Sequence, residues 1–377
     1  MKKILYLSPM NIFKNNYGGV QCASRNYGVL KKFFQIDYLV TEELQYKKFF
    51  KKLENGIFYL KKNLFLNISR LFLGYTNNLS FENEKEILKL IKKNNYDIVY
   101  IEGSTWGKIY SKIKKINKKI KIITFFHNIE YDFVNSLCNL EKNYLRLFLY
   151  KIKLKNVIYN EKLAVKYSDY CITLNPRDTK RLYEVYGGKS DLELPITFED
   201  KYYKNIKNSL KEKDYILFVG SLFFANYHGI KWFVENVMPH INKKLLIVGK
   251  DFETKKIELE RENVEVIGSV DDLTPYYLNA SCMIMPIFEG AGMKVKTAEA
   301  LMYGKTIYGT TEAFEGYEVE YNKVGGLCNT KEEFIEKINN DKNIVFNEYS
   351  RKVFLEKYSF ESSLNKMKEF LEKENLI

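Results

Sequence analysis

Cysteine is scarce in this sequence, and the five cysteines among its 377 residues are scattered and odd in number. This usage argues against a disulfide framework or a zinc site, and it predicts reduced thiols in a cytoplasmic protein. Long hydrophobic runs are also missing. The longest, residues 215–225, is interrupted by Gly220 and Ser221 and is too short to cross a bilayer.

Two motifs that define other enzyme classes are absent. No Gly-x-Gly-x-x-Gly follows the first predicted strand, so a dinucleotide-dependent dehydrogenase is not expected. The sequence contains no Asp-x-Asp and no clustered carboxylates of the kind that a magnesium site uses. We therefore predict a protein that needs no cofactor and no obligatory metal.

Positive charge is in excess, because 60 Lys and Arg residues against 47 Asp and Glu residues give a formal net charge of +13. The basic residues are spread widely, and no nucleic-acid-binding motif accompanies them, so nucleic acid is not expected as a partner. Attraction to an anionic membrane surface is one explanation. A lysine-rich composition without a binding role is the other.

The length favours two domains of comparable size, and alternating predicted strands and helices favour a parallel sheet in each. We place the first Rossmann-like domain at residues 1–190 and a polar linker at 191–210. A second Rossmann-like domain follows at residues 211–358. A final helix occupies residues 359–377.

Residues 285–311 form the most informative stretch, with a predicted order of strand, loop, helix and strand. Gly290 and Gly292 supply the backbone freedom for a tight turn into a helix predicted from Met293 to Tyr303. A helix N-terminus presents unpaired N–H groups and the positive end of the helix dipole. Together these suit a phosphate group.

Three charged residues follow this turn. Lys294 and Lys296 place positive charge beside the expected phosphate. Glu299 lies about one turn deeper on the helix face of Lys296, where a carboxylate can accept hydrogen bonds from both hydroxyls of a ribose. The stretch therefore predicts a nucleotide diphosphate site, and the alternative is a solvated, salt-bridged helix face.

The same stretch resembles the donor-binding motif of retaining GT-B glycosyltransferases, specifically glycosyltransferase family 4. The matching residues read Pro-Ile-Phe-Glu-Gly-Ala-Gly-Met-Lys-Val-Lys-Thr-Ala-Glu-Ala-Leu, followed by Tyr-Gly-Lys. The acidic pair of the family ends at the position of Glu299, whereas its first member would fall at Ala291. Lys294 and Lys296 match the basic pair of a bacterial branch.

Two elements of the first predicted domain also resemble this family. Gly18 and Gly19 follow the first strand, where a Gly-Gly motif of the family faces the donor phosphates and the acceptor. His127 ends a predicted strand and begins a His-Asn-x-Glu element that closes at Glu130. In the family this element lies beside the transferred sugar.

The second predicted domain departs from the family in one loop. Many members have an arginine and later a Lys-Gly pair there, but this chain has Ser221 and Asn226-Tyr227. Lys294 and Lys296 would then supply more of the positive charge that the pyrophosphate needs.

The resemblance implies two Rossmann-like domains facing each other across a cleft and joined near Pro195, with the last helix crossing back to the first domain. It also implies a metal-independent, retaining transfer of a hexose from a nucleotide sugar, expected to be linked to UDP. The expected acceptor is a hydroxyl of a growing cell-envelope glycan such as lipopolysaccharide or capsule, free or lipid-linked.

The candidate site residues fall into three groups. Catalytic roles are assigned to His127, Lys296 and Glu299. Donor binding is assigned to Gly18, Gly19, Ser221, Asn226, Gly290, Gly292, Met293, Lys294, Lys296 and Glu299. Contact with the acceptor or the sugar is assigned to Arg25, Glu130 and, as a weak substitute for the missing acid, Glu289.

Two other functions of the same fold remain open. One is a nucleotide-sugar epimerase, and the other is a non-catalytic glycosyltransferase-like partner subunit.

Residues 46–72 interleave basic and aromatic side chains, a combination typical of segments that lie at a membrane surface. We therefore expect a cytoplasmic protein that contacts the inner face of the plasma membrane through this segment. The alternative is an ordinary amphipathic helical pair packed on the sheet.

Overall fold

The computed structural model describes residues 1–13, 18–42, 52–53, 57–61, 67–76, 79–202, 215–290, 292–341 and 345–377. The chain divides into two compact units. The first comprises Met1–Ile196 and Leu364–Ile377, and the second comprises Thr197–Ser363. Each unit contains a largely parallel sheet with helices between its strands, so the prediction of two Rossmann-like domains is confirmed.

The strands of the first unit are β1 Lys3–Ser8, β2 Gln35–Glu42, β3 Lys52–Leu53, β4 Ile57–Lys61, β5 Ile98–Glu102, β6 Lys121–Phe126, β7 Tyr170–Thr173 and β8 Leu192–Glu193. They form one sheet in the order β3-β4-β2-β1-β5-β6-β7-β8. Among these described strands only β3 and β4 pair antiparallel. Its helices are Gly18–Leu30, Asn67–Phe72, Phe81–Lys93, Gly107–Ile116, Glu130–Leu140, Tyr144–Tyr167 and Pro176–Tyr186.

Strand β4 lies inside the segment for which the sequence left a helical pair open. Its backbone pairs parallel with β2, from Tyr38 opposite Ile57 to Glu42 opposite Lys61. The helical alternative is therefore wrong for this stretch, because an extended strand in a sheet cannot also be helical. Most of the remaining predicted interfacial segment, residues 46–51, 54–56 and 62–66, lies outside the described residues.

The strands of the second unit are β9 Tyr215–Val219, β10 Lys244–Val248, β11 Val264–Gly268, β12 Cys282–Met285, β13 Thr306–Gly309 and β14 Gly325–Leu327. Each neighbouring pair is parallel, in the order β11-β10-β9-β12-β13-β14. The helices are Phe224–Asn236, Lys256–Leu259, Thr274–Asn279, Val295–Met302, Tyr321–Val324, Lys331–Asn339 and Glu348–Val353, with Phe360–Lys373 beginning in this unit and continuing into the first.

The order of the strands reverses once in each sheet. In the first unit the chain moves outward from β1 to β2 and β4, and later strands are added on the other side, starting with β5. In the second unit the reversal lies between β9 and β12. Parallel sheets bind ligands in the crevice outside the carboxyl ends of their strands at such a point.

The helix Phe224–Asn236 approaches the chain after β12 very closely. A β-carbon added at Gly229 would lie 1.7 Å from the carbonyl oxygen of Pro286. Since no side chain can occupy that distance, glycine allows the helix to contact the backbone at the end of the strand. The contact positions the N-terminal half of this helix next to the start of the Gly290–Lys294 turn.

We expect Gly229→Ala to destabilise the second unit by about 2–3 kcal/mol, because the new methyl group must push the helix away from Pro286. Urea unfolding followed by circular dichroism measures this loss. Lys231→Ala, on an exposed face of the same helix, serves as the control and is expected to change stability by less than about 0.5 kcal/mol. Equal stability of both variants would contradict the role of the close contact.

Candidate functional site

The candidate donor site of the second unit begins at the turn after β12. Gly292 has φ of +70°, a conformation that residues with a β-carbon rarely adopt. The helix Val295–Met302 follows, two residues later at its start than the sequence predicted. Its first turn contains no acidic residue, and among the described residues no side chain caps it. This helix start can therefore receive an anion.

Lys296 lies on this helix start and reaches toward the end of β9. Its Nζ atom donates a hydrogen bond to Oδ1 of Asn226 and lies 5.0 Å from the centre of the Phe218 ring. Asn226 in turn donates to the backbone oxygen of Ser221 at 2.8 Å. The structure therefore brings together three of the predicted donor residues beside the strand reversal.

The environment of Lys296 disfavours its charge. Burial is the main cause, and the neighbouring positive charge of Lys294 adds to it, so that the pKa of Lys296 is lowered to about 7 despite the opposing effect of Glu299. A lysine with this pKa gains a proton readily when a phosphate approaches, because the new anion stabilises the ammonium form.

Lys294 is engaged differently from what the sequence predicted. Its Nζ atom forms an ion pair with Oε1 of Glu312 at 2.6 Å and donates to the backbone oxygen of Gly292 at 2.7 Å. The side chain thus ties the turn to the segment after β13. Sequence reasoning missed Glu312, which lies 18 residues away and has no motif of its own.

Glu299 is held by a buried tyrosine. The hydroxyl of Tyr277 donates to Oε2 of Glu299 at 2.9 Å, and the Tyr277 ring stacks on Tyr303 with a centroid distance of 4.9 Å. Burial raises the pKa of Glu299, although the hydrogen bond from Tyr277 and the charge of Lys201 oppose this shift. The carboxylate is therefore fixed in position, with Oε1 left as an acceptor for a ligand hydroxyl.

The other predicted donor and sugar residues of this unit lie around the turn. Met293 is half-buried and packs on the hydrophobic core of the unit. Ser221, Glu289 and Gly290 are exposed. Glu289 is therefore exposed at the turn, and no contact among the described residues assigns it a role.

In the first unit, His127 directly follows β6 and pairs with a buried carboxylate. Its Nε2 atom lies 2.9 Å from Oε2 of Glu102, the last residue of β5. Oε1 of Glu102 accepts hydrogen bonds from the Tyr6 hydroxyl at 2.5 Å and from the Asn26 amide at 2.7 Å. The pair therefore lies at the reversal between β1 and β5.

The charge of His127 is set by this carboxylate. Burial alone would lower the pKa of His127, but the negative charge of Glu102 and contacts with Cys22 outweigh burial and raise the pKa to about 10. The imidazole is thus protonated at neutral pH. Sequence reasoning identified His127 but missed its partner, because Glu102 lies on another strand, 25 residues earlier in the chain.

The remaining predicted residues of the first unit lie on the helix after β1 and at the start of the helix after β6. Gly18 and Gly19 begin the helix Gly18–Leu30, which also carries Arg25 on a half-buried face. Glu130 is half-buried, and burial raises its pKa while Lys153 and His127 oppose the rise.

The start of the helix Glu130–Leu140 is held by Glu161. This buried carboxylate accepts hydrogen bonds from the backbone N–H groups of Glu130 and Tyr131, both at 3.1 Å. It also accepts from Ser104 and Tyr186, each at 2.7 Å. The sequence did not reveal this anchor, although it fixes the loop that follows His127.

We expect Glu102→Gln to lower the pKa of His127 from about 10 to below its ordinary value of about 6.5, because burial then acts without the opposing carboxylate. NMR titration of the imidazole resonances measures this. The chain has three histidines, so His228→Asn and His240→Asn variants assign the signals and should leave the titration of His127 unchanged. An unchanged titration in Glu102→Gln would show that the carboxylate does not control the charge of His127.

Comparison with known proteins identifies one domain by sequence. Residues 213–340 match the model of the family described as Glycosyl transferases group 1. An uncharacterised 44.6 kDa protein in the cps region of Klebsiella pneumoniae is 25% identical to this chain over 287 residues, which are 70% of this chain and 71% of that protein.

Solved structures match the whole chain by fold. Sucrose-phosphate synthase from Thermosynechococcus elongatus has a TM-score of 0.67 at 14% identity, covering 99% of both chains. Anabaena Alr3699/HepE, in complex with UDP, has a TM-score of 0.64 at 13% identity, covering 99% of this chain and 100% of that one. Residues 213–340 therefore match the Glycosyl transferases group 1 model, and the chain has the fold of GT-B glycosyltransferases.

Proposed function

We propose that this chain is a retaining, family 4 glycosyltransferase that moves a sugar from a UDP-sugar to a hydroxyl of a growing cell-surface glycan. The observation that carries the proposal is the position of Lys296 on an uncapped helix start, beside the carboxyl end of β9. This arrangement offers a cation and backbone N–H groups to one diphosphate.

The chemistry of the reaction requires such an arrangement. When the bond between the sugar and the nucleotide breaks, negative charge develops on the leaving diphosphate. Fixed N–H groups and a cation stabilise that charge more in the transition state than in the substrate, and this difference is what accelerates the reaction. Lys296 supplies the cation, and its hydrogen bond to Asn226 keeps Nζ at the helix start until the diphosphate binds.

Glu299 is proposed to bind the ribose of the nucleotide. Its carboxylate lies one turn beyond Lys296 on the same helix, and Tyr277 holds one of its oxygens. A carboxylate fixed at one oxygen can accept hydrogen bonds from two adjacent hydroxyls without losing further side-chain freedom.

His127 is proposed to orient the transferred sugar or contact its hydroxyls. As an imidazolium beside Glu102, it can donate a hydrogen bond but cannot act as a general base. This role fits a reaction in which charge stabilisation at the diphosphate matters more than removal of a proton by histidine.

The acceptor is proposed to be a cell-surface polysaccharide. Support comes from the relative in the cps region of Klebsiella pneumoniae. UDP as the nucleotide is supported by the Anabaena protein of the same fold, whose structure holds UDP.

We expect Lys296→Met to weaken UDP binding by about 10- to 100-fold, the usual worth of a charge-assisted hydrogen bond. In the wild-type protein, UDP affinity should fall as the pH rises from about 7 to about 9, because free Lys296 loses its proton in this range. Lys296→Arg should bind UDP with little change over the same range, since arginine stays protonated. Isothermal titration calorimetry measures the UDP affinity of the wild-type protein and of both variants. Proton uptake by the wild-type protein above pH 7 makes its measured binding enthalpy depend on the ionisation enthalpy of the buffer.

The matched control is Lys231→Met, which removes an exposed lysine of the same unit and should leave UDP affinity unchanged. Binding that is insensitive to both substitutions would place the diphosphate elsewhere.

A panel of nucleotide sugars with chelator present then tests the reaction. Transfer that requires an acceptor supports the proposal and excludes a free-donor epimerase. Isomerisation of the donor without acceptor would contradict the proposal, and a requirement for divalent metal would contradict the expected metal-independent reaction.

A further inference from the structure

The first two thirds of the helix Tyr144–Tyr167 carry an exposed stripe, which we call the aromatic–basic stripe. Its members are Tyr144, Phe148, Lys151, Lys155 and Tyr159, spaced by three or four residues so that they share one helix face. Tyr144 is 90% exposed, Phe148 54% and Tyr159 52%. Large aromatic side chains this exposed on one face are uncommon unless the face meets another surface.

Apolar exposure continues around the N-terminal end of this helix. Leu145 is 71% exposed, and Leu140, which ends the preceding helix, is 78% exposed. The two helices pack against each other and are joined by residues 141–143. The apolar surface thus spans the corner between two helices of the first unit.

Packing does not explain these residues. In the helix Tyr144–Tyr167, all of which the structure describes, the fully buried residues are Val157, Asn160, Glu161 and Ala164. The first thirteen positions therefore contain no fully buried residue, although the side toward the neighbouring helices is half-buried. Apolar side chains that stay exposed on the outer side of such a helix favour contact with an apolar environment outside the protein.

The charge along this helix is of one sign up to Asn160, whereas Glu141 lies in the connection before it. Between Lys142 and Asn160 the sequence contains no Asp or Glu. Its basic residues are Lys142, Arg146, Lys151, Lys153 and Lys155. The apolar side chains are thus embedded in positive charge, which excludes basic and favours anionic partners.

We propose that the aromatic–basic stripe, with Leu140 and Leu145, docks this protein on the surface of an anionic lipid bilayer. Aromatic rings and leucines enter the boundary between headgroups and acyl chains, while lysine and arginine contact lipid phosphates. The inference goes beyond the proposed reaction and does not rest on it.

The observations favour a bilayer over a second copy of the chain. A symmetric dimer through this face would place each lysine-rich stripe against the same stripe of its partner, and the like charges would repel.

Within the described residues no helix is long and apolar enough to cross a membrane.

The surface differs from the segment that composition alone suggested. About half of that segment, residues 46–72, lies outside the described residues. The stripe lies instead on residues 144–159. Substitutions in one segment at a time therefore show which of the two binds the membrane.

The test is co-sedimentation of the full chain with vesicles of phosphatidylglycerol and phosphatidylcholine, or of phosphatidylcholine alone. We expect binding to the anionic vesicles only, weakened at least about tenfold when salt shortens the screening length from about 10 Å to about 3 Å. Lys151→Glu with Lys155→Glu should weaken binding at least about tenfold, and so should Tyr144→Ser with Phe148→Ser.

The matched control is Lys31→Glu with Lys32→Glu, which changes the net charge equally at exposed positions of the same unit. This control should bind nearly as well as the wild-type protein, and circular dichroism should show that all three double variants are folded. Equal loss in the control would mean that net charge alone drives binding and would overturn the proposal.

Three other results would also overturn it. One is equal binding to neutral vesicles. Another is loss of binding only when the lysines of residues 46–72 are reversed. The third is absence of vesicle binding together with a dimer, seen by sedimentation velocity, that the aromatic variant dissociates.

Discussion

In each parallel sheet the strand order reverses once, and this reversal determines where polar side chains can gather. Neighbouring strands on either side of the reversal send their connections to opposite faces, so their carboxyl ends open onto a crevice. Glu102 ends β5 beside β1 in the first unit, and Lys296 reaches the end of β9 in the second. The polar groups of both candidate sites lie at these two places.

Burial at these places lowers the pKa of two basic groups, but their partners differ. Lys296 has a neutral partner, Asn226, so desolvation lowers its pKa to about 7. His127 has a buried carboxylate, Glu102, which overcomes desolvation and raises its pKa to about 10. One group is therefore ready to gain charge from an anionic ligand, whereas the other is already charged. Removing Glu102 would leave a buried imidazole without its counter-ion, which makes this carboxylate as important as the histidine it holds.

The sequence predicted the local parts of this arrangement and missed the non-local ones. The glycine turn, the helix near Val295 and the strand ending before His127 follow from propensity and turn chemistry, and the structure contains each. The partnership of His127 with Glu102 depends on the alignment of β5 with β6, and that of Lys294 with Glu312 on the return of the chain after β13. Neither depends on spacing along the chain, so no motif could reveal it.

The aromatic–basic stripe shows a different limit of sequence reasoning. Its spacing is visible in the sequence, but apolar residues occur on every side of the helix Tyr144–Tyr167, so periodicity cannot say which face the protein buries. Only the exposure of Tyr144 and Phe148 separates the outer face from the inner one. The composition of the sequence instead favoured residues 46–72, part of which forms strand β4 of the sheet. The backbone of residues 57–61 is paired with β2, so the three-and-four spacing of a helix does not apply to this part of the segment.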